Sequence, residues 1–392
     1  MSGGAGSTPS TTLCLAGDVM TGRGIDQVLP HRGNPELHER SGLHADDYVR
    51  RAEALNGQIA APLDFSAIWG QATNEWDKRD ADYRIVNLET SITTNDAHWP
   101  DKTIHYRMSP LNAPSLAAAR FDCCVVANNH VLDWGYAGLM ETLQTLRHLG
   151  MQTVGAGANT REANQPAVLQ QKGKCRVLVF AWAHPSSYTP TSWAATVDRP
   201  GVSLLEDYTP TTIAAIKQQI AAVKCEDDVV VASLHWGPNW GYEVGLRQRW
   251  FAHRLIDTAG VHVVHGHSSH HPIGVEVYRN QPILYGCGDL MNDYEGIGTH
   301  AMYRPDLSAM YFVSLKLPSR RLASLTLVPM QLRAFQLRSA TASDARWLCE
   351  TLNRGGIAVS TKAKLRRWAH LRRTRFNCRW EVQSDDSLRI VR

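Results

Sequence analysis

The sequence predicts an α/β fold, a mixed sheet or β-sandwich flanked by helices, and three observations carry that prediction. Short apolar runs end repeatedly on polar clusters, amphipathic stretches separate several of them, and the run from Gly274 to about Phe335 breaks into short hairpin-like segments. Strands alternating with helices, with polar groups gathered beyond the strand ends, are the pattern of an α/β domain whose chemistry sits at one sheet edge. The 392 residues, 43% hydrophobic and 20% charged, suit a packed globule of one large or two modest domains rather than a disordered chain.

Residues 1–10 are largely Gly, Ser and Thr and read as a flexible lead-in. TTLCLAGDVM is a short buried strand that ends on Gly17-Asp18. HADDYVRRAEALNG reads as a helix, and DFSAIWGQATNEWDKRDA as a second helix or a loop-rich excursion. YRIVNLETSIT repeats the first pattern, an apolar core followed by Asn87, Glu89 and Thr90. The Pro and Asn spacing of 95–115 is that of a loop, and PSLAAAR starts a helix with Pro in its first turn. FDCCVVANNHVLDWG is again a strand, now delivering Asn128, Asn129 and His130. In YAGLMETLQTLRHLG, Leu139, Leu143 and Leu146 share a helical face and Gly150 is the stop. MQTVGAG, KCRVLVFAWA, DDVVVASLHWG and VHVVHGHSSHH supply strands, with TTIAAIKQQIAAVK and LRQRWFAHRLIDTAG as helices between some of them. GVEVYR, PILYG, MYFVSLKL and LASLTLVPM read as antiparallel strands. There is no Walker loop, no G-x-G-x-x-G and no internal repeat, so nothing specific points to nucleotide binding.

The formal charge of +4 is a property of the tail, because residues from 351 onward carry eleven Lys or Arg against three acids. The body gives no basic field of the kind nucleic acid requires, and the stretch STKAKLRRWAHLRRTRFNCRW reads as exposed, able to contact a polyanion. We accordingly divide the chain into a domain over 11–340 and a basic C-terminal extension over 341–392. The eight cysteines include no C-x-x-C pair and read as buried thiols in a reducing compartment. With no signal-like leader and no apolar run near 18 residues, the expected location is cytoplasmic, without a transmembrane segment.

Oxygen and nitrogen ligands recur at the strand ends: Asp18, Glu89, Asn129 with His130, His235, and then His265, His267, His270 and His271. Carboxylates, an amide oxygen and neutral imidazoles suit Mn²⁺, Zn²⁺ or Fe²⁺, and no Cys joins the set to favour a structural zinc. A two-metal clamp would use one carboxylate to bridge ions about 3.5–4 Å apart and hold a hydroxide between them. Four of the seven residues 265–271 are His, in a Gly and Ser context that turns the chain at a strand end. His130 and Asp133 stand three apart, so an Asp on one ring nitrogen would orient the other toward a leaving group, with a helix cap as the competing role for Asp133.

AGDVMTGRGID, IVNLETSIT, VVANNHVLDWGYAGLMETLQTLRHLGMQTVGAG, LHWGPNWGYE and VVHGHSSHHPIGVEVYRNQPILYGCGDL together resemble the ordered motifs of the CapA/PgsA family. These are the bacterial poly-gamma-glutamate capsule synthesis proteins, within the calcineurin-like metallophosphoesterase superfamily. The resemblance spans about residues 11–300 and implies a four-layer αββα fold, a dinuclear centre and phosphoester hydrolysis. It implies further that Asp18 binds one ion, Glu89 bridges, Asn129 is the amide ligand, and His235 and His267 hold the second ion. His270 would return to the first, while His130 serves the leaving group with Asp133 behind it. Arg23, Asn87, His265 and His271 are candidates for substrate contact or support. Two departures stand out. Met20 occupies the place of the superfamily's His after the first Asp, which weakens the first ion's site, and GHSSH replaces G-H-x-H, so that His270 or His271 takes the last place.

The leading function is thus a metal-dependent hydrolase of a phosphoester, small or carried on an anionic polymer. The alternatives are a non-catalytic component that handles poly-gamma-glutamate while keeping part of the metal site, and a hydrolase of gamma-linked amides.

Overall fold

The computed structural model describes residues 9–39, 44–355 and 378–391. It is a mixed α/β structure with two principal sheets. The larger has ten strands, and its main path runs Arg379–Val382, Leu388–Val391, Arg321–Arg333, Leu307–Lys316, Ser10–Val19, Tyr83–Leu88, Cys123–Val125 and Gln152–Val154. Asp289–Met291 pairs in parallel with the C-terminal end of Ser10–Val19. The smaller sheet has six strands, in the order Val275–Tyr278, Gln281–Leu284, Val263–His267, Val229–His235, Val177–Ala183 and Ala167–Leu169.

Side-chain alternation tells how these layers meet. In Val177–Ala183, Val177, Val179, Ala181 and Ala183 share one apolar core with Leu13, Leu15 and Ile85 of the larger sheet. Leu178, Phe180 and Trp182 point the other way, into a second core with Ile213 and Ile216 of helix Pro210–Ala221 and Phe251 and Leu255 of helix Leu246–Ala259. A strand buried on both faces has no polar side to show, which is why VLVFAWA is a continuous apolar run instead of an alternating one.

The late hairpins pair antiparallel, as their spacing predicts, Leu307–Lys316 with Arg321–Arg333 and Val275–Tyr278 with Gln281–Leu284, although Gln281–Leu284 also pairs in parallel with Val263–His267 and Asp289–Met291 with Ser10–Val19. The 64–81 segment resolves into a short 3₁₀ turn, Ala67–Trp69, and a helix, Ala72–Arg79. Gly70 divides them at φ +43°, where a Cβ would lie 2.3 Å from the Leu337 carbonyl oxygen. Residues beyond 341 include a helix, Ala342–Asn353, and the Arg379–Val382/Leu388–Val391 hairpin, whose Trp380 and Leu388 join the core shared by both sheets. Most of the basic stretch lies in 356–377, outside the described residues. Among the described residues, no helix is long and apolar enough to cross a membrane.

Candidate metal centre

Register brings the candidate ligands together. In the larger sheet Asp18 is paired with Asn87 on one side and with Asp289 on the other. The pairing with Tyr83–Leu88 shifts between Ala16 and Asp18, so Gly17 is the extra residue of a bulge that re-aims the strand end. Gly17 must be glycine here, because a Cβ would fall 1.8 Å from the Gly288 carbonyl oxygen, which accepts the Asp18 N–H at 3.1 Å. In the smaller sheet His235 and His267 are register partners.

The donor atoms of Asp18, His235 and His267 lie within 4.8 Å of one another, and so do those of Asp18, His270 and Asp289. Asp18 belongs to both groups. Its Oδ1 accepts the Asn87 amide at 2.7 Å and its Oδ2 the Ser268 N–H at 3.2 Å. His235 Nδ1 and His267 Nδ1 stand 2.8 Å apart, and His235 Nε2 is 3.0 Å from Asn129 Oδ1 and 3.7 Å from Glu89 Oε1. His270 Nδ1 is 2.9 Å from Asp289 Oδ1, while Asn292 donates to Asp289 Oδ2 at 2.8 Å. His130 Nδ1 meets Asp133 Oδ2 at 2.6 Å, leaving Nε2 on the side of Glu89, 3.9 Å away. Asn129, His130 and His270 are the least buried of the group, at 6%, 6% and 5% exposure, and mark its open side.

The electrostatics suit a cation. Burial pushes the Asp18 carboxyl up to about 6, and burial together with the neighbouring Asp18 charge raises Glu89 well above its ordinary value. Burial alone would push His270 down, but the Asp289 carboxylate outweighs it and raises the ring's pKa. Burial holds His235 and His267 well below the usual imidazole range, neutral and with lone pairs to give. Crowded buried carboxylates beside neutral imidazoles fit a divalent ion, which would relieve the like-charge repulsion.

The other candidates fall around this set. His265 donates Nε2 to the Ala16 carbonyl at 3.0 Å and meets Ser233 Oγ with Nδ1, so it ties the two sheets together behind the donors. His271 accepts the Gly241 N–H on Nε2 at 3.2 Å, leaving His270 as the member of GHSSH within reach of Asp18. Arg23 is buried in a bidentate pair with Asp293 and bonds to Glu39 and Tyr48, stacking over the Tyr106 ring at 4.7 Å. Asn87 positions Asp18 and itself accepts from Asn128 at 3.1 Å.

The family follows from comparison of the whole chain. The model of the bacterial capsule synthesis protein PGA_cap matches residues 12–294. The chain belongs to that family. Among its relatives is a probable polyglutamine synthesis accessory protein of Mycobacterium tuberculosis, 44% identical over 363 residues, covering 91% of this chain and 95% of that one. The PGA biosynthesis protein CapA of Bacillus subtilis is 24% identical over 279 residues, 71% of this chain and 62% of that one. Among solved structures, GAP50, the anchor in the inner membrane complex of Plasmodium, aligns at 8% identity over 90% of this chain and 98% of that one, with a TM-score of 0.33, too loose to bear on function.

Within this PGA_cap chain two groups escaped the sequence reading. Asp289 follows Gly288 after the apolar run PILYG, as Asp18 follows Gly17 after LCLA, so the repeated Gly-Asp at a strand end was the available signal. Lys102 lies in the irregular 95–115 segment, where no pattern marks it. Its Nζ pairs with Asp133 Oδ1, reaches the Asn129 carbonyl and lies 3.4 Å from His130 Nδ1. Burial first, and then the Lys102 charge, keep His130 well below the ordinary imidazole pKa.

Proposed function

We propose that this PGA_cap protein is a metal-dependent hydrolase of a phosphoester, built on the four-layer αββα plan of the calcineurin-like superfamily. The observation that carries the reading is the membership of Asp18 in two buried donor groups. His235 and His267, with Asn129 and Glu89 beside them, would hold one divalent ion, and His270 and Asp289 the other, with Asp18 common to both donor groups where the family resemblance gives the bridging place to Glu89. Asp289 takes up the duty that Met20 leaves open in the first site. Divalent ions there supply neutralisation of phosphoryl oxygens and acidification of water.

The chain's own residues then divide the work. Asp133 orients His130 through Nδ1 and leaves Nε2 toward the open side; burial holds the ring neutral, and once the charge of a bound phosphoester favours its imidazolium, Nε2 can hand a proton to a departing oxygen. Lys102 anchors Asp133 and adds positive charge on the same flank. Tyr106 stacks on His130 at 3.9 Å between centroids, and its hydroxyl meets that of Tyr294 at 2.7 Å, closing the floor between His130 and His270.

The test is elemental analysis of protein purified without chelator, alongside Mn²⁺-dependent hydrolysis of an aryl phosphodiester, a phosphomonoester and a gamma-glutamyl anilide. About two ions per chain with phosphoester turnover is the expected result. Turnover of the anilide alone would reassign the chemistry to gamma-linked amides. A second reading, a non-catalytic component that handles poly-gamma-glutamate, draws on the names of the relatives, and bound polymer without metal or turnover would favour it.

A further inference from the structure

We propose that a half-buried aromatic wall beside His270 is a subsite for an uncharged ring of the substrate, next to the scissile group. The inference rests on the hydrolase reading for the position of that group. Trp240 lies 5.3 Å from the His270 ring, one of the residues on the open side of the centre. His300 stacks on the indole at 4.0 Å and 11°, Tyr303 lies 5.4 Å from it, and Tyr242 is 5.4 Å from Tyr303. All four side chains are half-buried.

The wall is fixed to the centre. The Asn239 carbonyl accepts the His270 N–H at 3.0 Å, and the Gly241 N–H donates to His271 Nε2 at 3.2 Å, so the loop bearing Trp240 is tied to the segment that carries His270. Gly237 and Gly241, at φ +81° and +117°, bracket that loop and permit its turn.

Two observations point from packing to a ligand. Among the described residues, no protein group hydrogen-bonds the Trp240 indole N–H or the hydroxyls of Tyr242 and Tyr303, so three polar tips edge an apolar surface. Amphipathic rings left in this state pair a flat apolar face with hydrogen-bonding groups, which is what a sugar or a nucleobase presents. The charge distribution gives the second. Lys102 stands on the His130 flank, whereas Arg304, the cation next to the wall in sequence, is spent on Asp306 and Asp344 at 2.7 and 2.9 Å. With Arg304 so paired, the wall presents chiefly its apolar ring faces, which suit a neutral ring.

The experiment titrates full-length protein by calorimetry, metal-free and again after Mn²⁺ is restored, with ethyl phosphate, glucose 1-phosphate and adenosine 5′-monophosphate. At least one ring-bearing probe should bind about tenfold more tightly than ethyl phosphate, the scale of one stacking contact. Glucose 1-phosphate ahead of the nucleotide would make the ring a sugar, and the reverse a base. Trp240→Ala and Tyr303→Ala should bring that ratio to about one with metal content unchanged, while Trp240→Phe retains most of it. A ratio near one in the unaltered protein, or one that survives both alanine variants, overturns the subsite. If no metal binds and nothing is hydrolysed yet the ring preference persists, the hydrolase reading fails and the subsite stands. If hydrolysis runs without ring preference, the subsite alone fails.

Discussion

The two sheets finish at the same place but contribute opposite chemistry. The larger brings a pair of register-matched carboxylates, Asp18 and Asp289, and the smaller a pair of register-matched imidazoles, His235 and His267. Burial makes the imidazoles neutral, a state they tolerate without a partner ion. On the other side the same burial works against charge, raising Asp18 and Glu89 toward protonation. With a divalent ion present, one side would accept it passively and the other would gain by its arrival, which predicts that the carboxylate side governs whether ions stay.

Replacing the residue common to both sides should have the largest effect. Asp18→Asn should lower metal content from about two ions toward none and cost roughly 10²–10³-fold or more in hydrolysis, as elemental analysis and initial rates would show. Next come the one-sided variants. Asp289→Asn and His235→Ala should each leave about one ion, and equal retention of both ions in Asp289→Asn would remove that residue from the centre. His130→Ala should keep its metal while losing about 10²–10⁴-fold on substrates with poor leaving groups and much less on good ones, measured across an aryl series.

Smaller changes sharpen the comparison. Asn292→Ala, which frees Asp289 Oδ2, and Ser233→Ala, which frees His267 Nε2, should weaken metal affinity by about 10–100-fold, and a competition titration with a chromogenic chelator would rank the two sides. The smallest effect concerns the far end of the imidazole sheet. Burial lowers His262 to about 3, and its Nδ1 accepts the Val230 N–H at 2.9 Å. Because the folded pKa lies below the unfolded value of about 6.5, its contribution is intact above pH 6.5 and declines as pH falls toward 3, by about 1 kcal/mol at pH 5.5. Urea melts at pH 7 and 5.5 should therefore show a smaller acid loss in His262→Gln than in the unaltered chain.

Much of this arrangement was legible because a buried strand announces its own end. LCLAGD, RIVNLE, VVANNH and VVASLH each change from apolar to polar at the point where the backbone leaves the core, and the structure brings those ends together. What the sequence hid depended on relations between distant segments. Asp289 acquires its role from pairing beside Asp18, and the pairing depends on a glycine bulge that allows two backbones to approach. Lys102 is positioned by a loop without periodicity, so only the folded chain reveals that it meets Asp133. The placement of GHSSH likewise needed geometry, since the choice between His270 and His271 turns on a single backbone bond from Gly241.

The span of the Asp18 contacts has a consequence for biosynthesis. The Ser268 N–H that donates to Asp18 Oδ2 is 250 positions farther along the chain. On the ribosome, the first strand must wait while most of the polypeptide is made before its carboxylate finds these neighbours, and contacts of such separation are slow to form. A nascent chain therefore offers no assembled pocket to free metal, and any ion this centre takes up would enter the completed protein. Truncations upstream of His235, which lack His235, His267, His270 and Asp289 together, should accumulate as species that capture no ion, whatever the metal supply in the cell.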